Sequence, residues 1–256
     1  MARKGTGMWR LLRGLSGLLA LLVAIPLVLT PLYLVLDPVS VPMVERYVTG
    51  RPVLREWRPI AEISDRLKAA VILSEDGQFC SHPGVDFGAL REEVERYMEG
   101  EDARGASTIT MQVARNLFLW NRQSVVRKAL EVPLALYIDL VLPKRRIMEI
   151  YLNVAEWGPS GQFGVATGAD AAFGIVPQNL DWRTATLLVT ALPKPHAAPA
   201  RHALCGHAED RRHHRRAGQG IRKPRCLRGG GRAAGAVKSP ACLPYPLAGK
   251  VPRRGG

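Results

Sequence analysis

Residues 63–84 read ISDRLKAAVILSEDGQFCSHPG. Apolar side chains at Ile63, Leu67, Ala70 and Val71 follow the i, i+4, i+7, i+8 spacing of a helix with one buried face. That helix ends in two adjacent carboxylates, Glu75 and Asp76, and Phe79 and His82 follow within one short loop. A lone Glu-Asp pair at a helix end is ordinarily solvated. Here an aromatic ring that can wall off a carboxyl and an imidazole that can orient one stand beside it, the means by which general acids and bases are tuned.

Further helical patterns flank this stretch. Asp86 can cap FGALREEVERYMEG, whose apolar positions keep helical period and stop at Gly100. Residues 124–142, SVVRKALEVPLALYIDLVL, read as a long apolar helix with a kink expected at Pro133. Pro143 suits the first turn of KRRIMEIYLNVAEWG, a glycine-punctuated stretch follows, and a last helix is expected near DWRTATLLVTAL. No period-2 strand pattern of any length appears, so the expected fold is mainly α.

The 256 residues, 47% apolar, can bury a core. The net charge of +14 is uneven: residues 201–256 alone supply +12, whereas residues 37–200 come to −2. The central body therefore carries no basic stripe for DNA or RNA. Three of the four cysteines lie after residue 200 and Cys80 is alone before it, so the spacing suggests neither a disulfide framework nor a metal site.

Gly14 to Leu36 is 23 residues without a charge. As a helix it spans about 34 Å, enough to cross a bilayer core. No small-residue cleavage site follows it, which favours a retained anchor over a cleaved signal peptide. The basic residues Arg3, Lys4, Arg10 and Arg13 all precede it, placing residues 1–13 on the cytoplasmic side and the body beyond. The organisation expected is a basic segment (1–13), a transmembrane helix (14–36), a Pro-punctuated connector (37–59), a folded domain (60–200) and a basic tail (201–256). The tail is too poor in apolar residues to offset its ordering entropy. A reading-frame shift near codon 200 and a genuine lipid-touching tail both account for the abrupt change of composition.

Two more stretches concentrate polar chemistry. In RGASTITMQVARN, Ser107 and Thr108 stand where hydroxyls and N–H groups at a helix start can receive an anion, and Gln112, Arg115 and Asn116 follow along the same helix. In RKALE, Arg127 and Lys128 lie one helical turn before Glu131, so two cations and a carboxylate share a face. Caps and a surface ion pair would explain parts of these runs, but not so many donors on an otherwise apolar helix. Two separate carboxylates and an anion site are the equipment for displacing a phosphate leaving group at a sugar carbon.

SEDGQFCSHPGVD, GASTITMQVARN, RKALE with RRIMEIYLN, and GQFGVATGADAAFG resemble, in order and spacing, the successive motifs of the peptidoglycan glycosyltransferases. The resemblance covers roughly residues 60–200, and without room for a transpeptidase domain it points to the monofunctional biosynthetic transglycosylases. It implies a lysozyme-like α-helical fold that polymerises lipid II into glycan strands at the outer face of the inner membrane. It further implies Glu75 as the base that deprotonates the acceptor's 4-hydroxyl, with inversion and loss of undecaprenyl pyrophosphate. Glu131 matches the second essential glutamate, Asp76, Phe79 and His82 support Glu75, and Ser107, Thr108, Gln112, Arg115, Asn116, Arg127 and Lys128 hold substrate, chiefly phosphate. Glu149 is expected to be structural.

No cofactor is required by this reading, though a divalent cation, magnesium or manganese, can assist; no metal-ligand cluster is legible. Lipid II, the growing glycan strand, membrane lipid and other cell-wall synthesis and division proteins are the expected partners, with no nucleic acid. Two positions depart from the family pattern: Arg115 stands for lysine, and Gln123 for arginine, with Arg122 one step earlier. A membrane-bound lytic muramidase and a catalytically impaired lipid II-binding adaptor are the rival readings.

Overall fold

A computed structural model describes residues 5–100, 105–122, 124–190 and 192. Gln123 and the expected basic tail lie outside these residues. The described chain is mainly helical, as its periodicity predicts. Its helices are α1 (Gly5–Leu32), α2 (Val41–Val48), α3 (Asp65–Glu75), α4 (Phe87–Met98), α5 (Ile109–Phe118), α6 (Val125–Val141), α7 (Lys144–Val154), α8 (Val165–Phe173) and α9 (Trp182–Thr190).

Each functional helix starts where its sequence supplies a cap. Ser64 accepts from the N–H of Arg66 at 3.3 Å to open α3, and Asp86 accepts from Ala89 at 3.0 Å to open α4. Thr108 and Ser124 do the same for α5 and α6. Pro143 is the N-cap of α7, one position before the first turn expected for it. Pro133 lies inside α6, which continues through it to Val141.

α5 is the central helix, packed against α6 and α7, while α3 packs against α9. Leu67 and Val71 from α3, Ile109 and Val113 from α5, and Ile147 and Ile150 from α7 are all fully buried in one core. Burying such a side chain contributes about 1.5–3 kcal/mol, so the polar residues between these positions are carried on a stiff support. A second small cluster of Val85, Met111 and Ala135 joins the loop after α3 to α5 and α6. There Gly84 adopts φ +86°, and a Cβ on it would stand 2.5 Å from the carbonyl oxygen of Ala135.

Three features correct the sequence reading. A small sheet exists, ordered β1 (Leu54–Arg55), β3 (Gln162–Phe163), β2 (Glu156–Gly158). Strands of two or three residues are too short to show alternation. The stretch read as a connector holds α2 and β1, with Met43 buried in the core. Cys80 is disulfide-bonded, where the sequence reading expected no disulfide framework.

The apolar segment expected over 14–36 is helical over Gly5–Leu32 and passes through Arg10 and Arg13; the chain turns at 33–36. Met8–Leu32 is long and apolar enough to cross a membrane. Its C-terminal end is fastened to the body. Arg146 donates through Nε to the carbonyl of Tyr33 and through Nη2 to that of Leu36, both at 2.7 Å, and pairs with Asp37 at 3.1 Å. These carbonyls belong to the turn just past α1, whose own last carbonyls, from Leu29 to Leu32, are taken by the N–H groups of that turn. Tyr137 of α6 donates to the carbonyl of Leu27 at 2.9 Å, and the Tyr33 ring stacks on Phe118 of α5 at 6.2 Å.

Candidate active site

Glu75 is the last residue of α3 and is half-buried. Its carboxylate accepts from Gln112 Nε2 at 3.1 Å through Oε2 and from the Ser74 hydroxyl at 3.2 Å through Oε1. It lines an open cleft of about 210 Å³ between the end of α3 and the start of α5, shared with Asp76, Gln78, Ser107 and Thr108.

Asp76 is buried and both its oxygens are engaged. Oδ1 meets His82 Nε2 at 2.8 Å, and Oδ2 accepts from the backbone N–H of Ile109 at 2.9 Å. A carboxylate at a helix N-terminus is stabilised by the unpaired N–H groups there, so Asp76 joins the end of α3 to the start of α5. Thr108 accepts from Met111 N at 3.1 Å and donates to Gly84 O at 2.6 Å. The hydroxyl expected to hold substrate is thus committed to capping.

Phe79 is fully buried in the core, and Lys144 Nζ stands 4.7 Å from its ring centroid. The same ammonium donates to the carbonyl of His82 at 2.8 Å. The ring therefore supports the loop that carries His82, whereas the sequence reading made it a wall against the carboxylate. Glu149 pairs with Arg146 and accepts from the N–H of Ile60 at 2.9 Å, a structural position as expected.

The cationic group assembles on one side of the cleft. Glu131, only 2% exposed, pairs through Oε1 with Arg127 and through Oε2 with Lys128 at 3.2 Å. Arg127 Nε also donates to the carbonyl of Arg122 at 3.0 Å. Lys128 donates in addition to the hydroxyl of Ser107, which links the cationic group to the cleft. Burial pushes the pKa of Lys128 down and Glu131 opposes the shift; burial likewise pushes Arg115 down, with Glu131 again opposing. Asn116 lies half-buried beside Arg115 on α5.

Because both oxygens of Glu131 already face side-chain cations, this arrangement does not fit a divalent ion at that carboxylate. Among the described residues no group of three or more His, Cys, Asp or Glu side chains is placed to hold a metal.

One participant was missed. The phenol of Tyr151, buried on α7, donates to Gln112 Oε1 at 3.3 Å, completing a chain from Tyr151 through Gln112 to Glu75. Burial, and after it the charge of Glu75, pushes the Tyr151 pKa up, with Arg115 opposing. In sequence Tyr151 shows only as one apolar-face position of MEIYLN, and nothing local marks its hydroxyl.

The Glu75 carboxylate thus stands on an open cleft and accepts from the Gln112 amide, while the Arg127, Lys128 and Glu131 group reaches the same cleft through Ser107. The transglycosylase family model matches residues 43–217, and the chain belongs to that family. It is 52% identical over 180 residues to the biosynthetic peptidoglycan transglycosylase of Rhodopseudomonas palustris strain TIE-1, covering 70% of this chain and 76% of that protein. The proteins of the same name from Nitrobacter winogradskyi and Agrobacterium fabrum are 51% and 49% identical over 180 residues. These alignments cover 70% of this chain in each case, and 80% and 79% of those proteins.

Proposed function

We propose that this chain is a peptidoglycan glycosyltransferase that polymerises lipid II into β-1,4 glycan strands. The observation that carries the reading is the position of Ser107. It lines the cleft with Glu75 while its hydroxyl receives the ammonium of Lys128. A base and an anion site thus open on the same space.

In this reading Glu75 takes the proton of the acceptor sugar's 4-hydroxyl as that oxygen attacks the donor's anomeric carbon. The C–O bond to undecaprenyl pyrophosphate breaks, and the electron pair leaves with the pyrophosphate. A single displacement turns an α-linked donor into a β-link. Arg115, Lys128 and Arg127 offset the charge on the leaving group, and Glu131 holds the two latter cations in place. Gln112 orients Glu75, Ser107 and Asn116 contact substrate, and Asp76, His82, Phe79 and Thr108 fix the α3–α5 junction.

α1 anchors the protein to the inner membrane as a single pass. The basic residues preceding its apolar stretch favour a cytoplasmic N-terminus and a catalytic body on the periplasmic side. The cationic group favours the synthetic direction over glycan cleavage, because a muramidase has no pyrophosphate to hold. Fluorescent lipid II supplied to the full-length protein in detergent tests the reading. A ladder of glycan products supports it; shortening of pre-made glycan, or no reaction, contradicts it.

A further inference from the structure

Gln112 is the only protein group other than the neighbouring Ser74 that donates to Glu75 among the described residues, so what orients its amide orients the carboxylate. An ionised carboxylate is acceptor-only, so the amide must turn Nε2 toward Glu75 and Oε1 away. Reversed, the amide would set an oxygen against a carboxylate, a repulsive contact that also loses the donor. Half a turn about the last side-chain bond separates the two states, and the backbone of α5 does not choose between them.

A second contact, from α7, favours the same state as the carboxylate does. The hydroxyl of Tyr151 faces Gln112 Oε1 at 3.3 Å, on a side chain only 1% exposed and set between fully buried Ile150 and Leu152. A buried phenol needs a hydrogen-bond partner, and this one has a carbonyl oxygen before it. We propose that Tyr151 is a positioning residue for the base: by donating to Gln112 Oε1 it locks the amide in the orientation that donates to Glu75.

The proposal rests on the assignment of Glu75 as base. It gives α7 a function beyond packing, since the rigid core face of this helix sets the direction of a proton acceptor on α3 through one side chain of α5. The upward push on the phenol's pKa fits the role, because the hydroxyl then remains a donor throughout the pH range in which the base works. Tyr151 touches neither substrate nor the reacting atoms and acts only through Gln112.

The test is a double-mutant cycle in the full-length protein with lipid II. Tyr151→Phe keeps the ring and removes the hydroxyl; it is expected to lower kcat about 10- to 100-fold, the scale of a misaligned catalytic group, with KM little changed. Gln112→Leu should lose at least as much, and adding Tyr151→Phe to it should cost nothing further. Gln112→Asn, one methylene too short to span Tyr151 and Glu75, leaves the tyrosine in place. It gives the same loss of kcat by a route that does not disturb α7. Wild-type kcat in Tyr151→Phe or Gln112→Asn, or full additivity in the double variant, would overturn the proposal. The Glu75→Gln variant assayed beside them separates the two claims: if it is inactive while Tyr151→Phe is fully active, only the relay is wrong; if it polymerises normally, the base is wrong.

Discussion

The Asp76 carboxylate accepts a hydrogen bond from the backbone N–H of Ile109 at 2.9 Å, so the residue that follows α3 also caps α5. Glu75 and Gln112, which hydrogen-bond directly to each other at 3.1 Å, are each held by an element that this bond ties to the other. His82 occupies the second oxygen at 2.8 Å.

Asp76→Ala removes both bonds and leaves the Ile109 N–H buried without a partner. The expected cost is about 2–4 kcal/mol, measured by thermal or denaturant unfolding in detergent. Activity should fall as well, although Glu75 is untouched. An unfolding curve at the wild-type position would show that the junction does not depend on this carboxylate.

Arg127→Ala leaves Glu131 buried with Lys128 as its one direct ion-pair partner, and breaking a buried pair in this way costs about 3–5 kcal/mol. Glu131→Gln is expected to cost at least as much in the unfolding midpoint, since its one amide oxygen serves one cation while its NH2 meets the other.

Lys128 carries a pH signature. Burial lowers its pKa from 10.5, so the protonated form is disfavoured in the folded protein. That penalty is full at neutral pH, begins to fall as pH rises past the lowered value and is gone above 10.5. The ammonium available to an anionic donor substrate is lost as pH passes the lowered value. KM for lipid II should therefore rise on the alkaline side sooner than for an ordinary lysine, and Lys128→Arg should move that rise to higher pH. KM independent of pH in both forms would remove Lys128 from substrate binding.

Gly84→Ala meets two obstacles together: a backbone at φ +86° and a Cβ 2.5 Å from the carbonyl of Ala135. Because Thr108 donates to the carbonyl of this glycine, the strain passes directly to the cap of α5. A loss of about 3 kcal/mol or more is expected, seen as a lowered unfolding midpoint. Gly100→Ala provides the comparison, with positive φ but open space around the Cβ.

How much of this was legible depended on whether the signal was local. The cap at Asp86 and the helix it opens follow from neighbouring residues alone, so they read directly from the sequence, whereas the caps at Ser64 and Ser124 were not singled out there. The Arg127, Lys128 and Glu131 group was equally readable, being one turn of one helix. Thr108 was harder, because a hydroxyl at a helix start serves an anion or its own backbone, and only the contact with Gly84 shows which bonds it makes. Phe79 lies close to Glu75 in sequence, yet its ring points into the core. Tyr151, distant in sequence from Gln112, was invisible because their contact exists only once α7 packs on α5.

The fastening of α1 makes a separate prediction. Arg146→Ala abandons the carbonyls of Tyr33 and Leu36 and strips both Asp37 and Glu149 of their guanidinium partner. A spin-label distance between α1 and α6, narrow in the wild type, should broaden in the variant. An unchanged distribution would mean that the helix packing through Tyr137 and Tyr33 suffices to dock it.

The central claim is that Glu75 is the base for glycan polymerisation, and one comparison tests it most directly. Full-length wild type and Glu75→Gln are given the same fluorescent lipid II, with unfolding midpoints measured in parallel. The account predicts a glycan ladder from the wild type and none from a variant that melts alongside it. A ladder of ordinary length and rate from Glu75→Gln would contradict it.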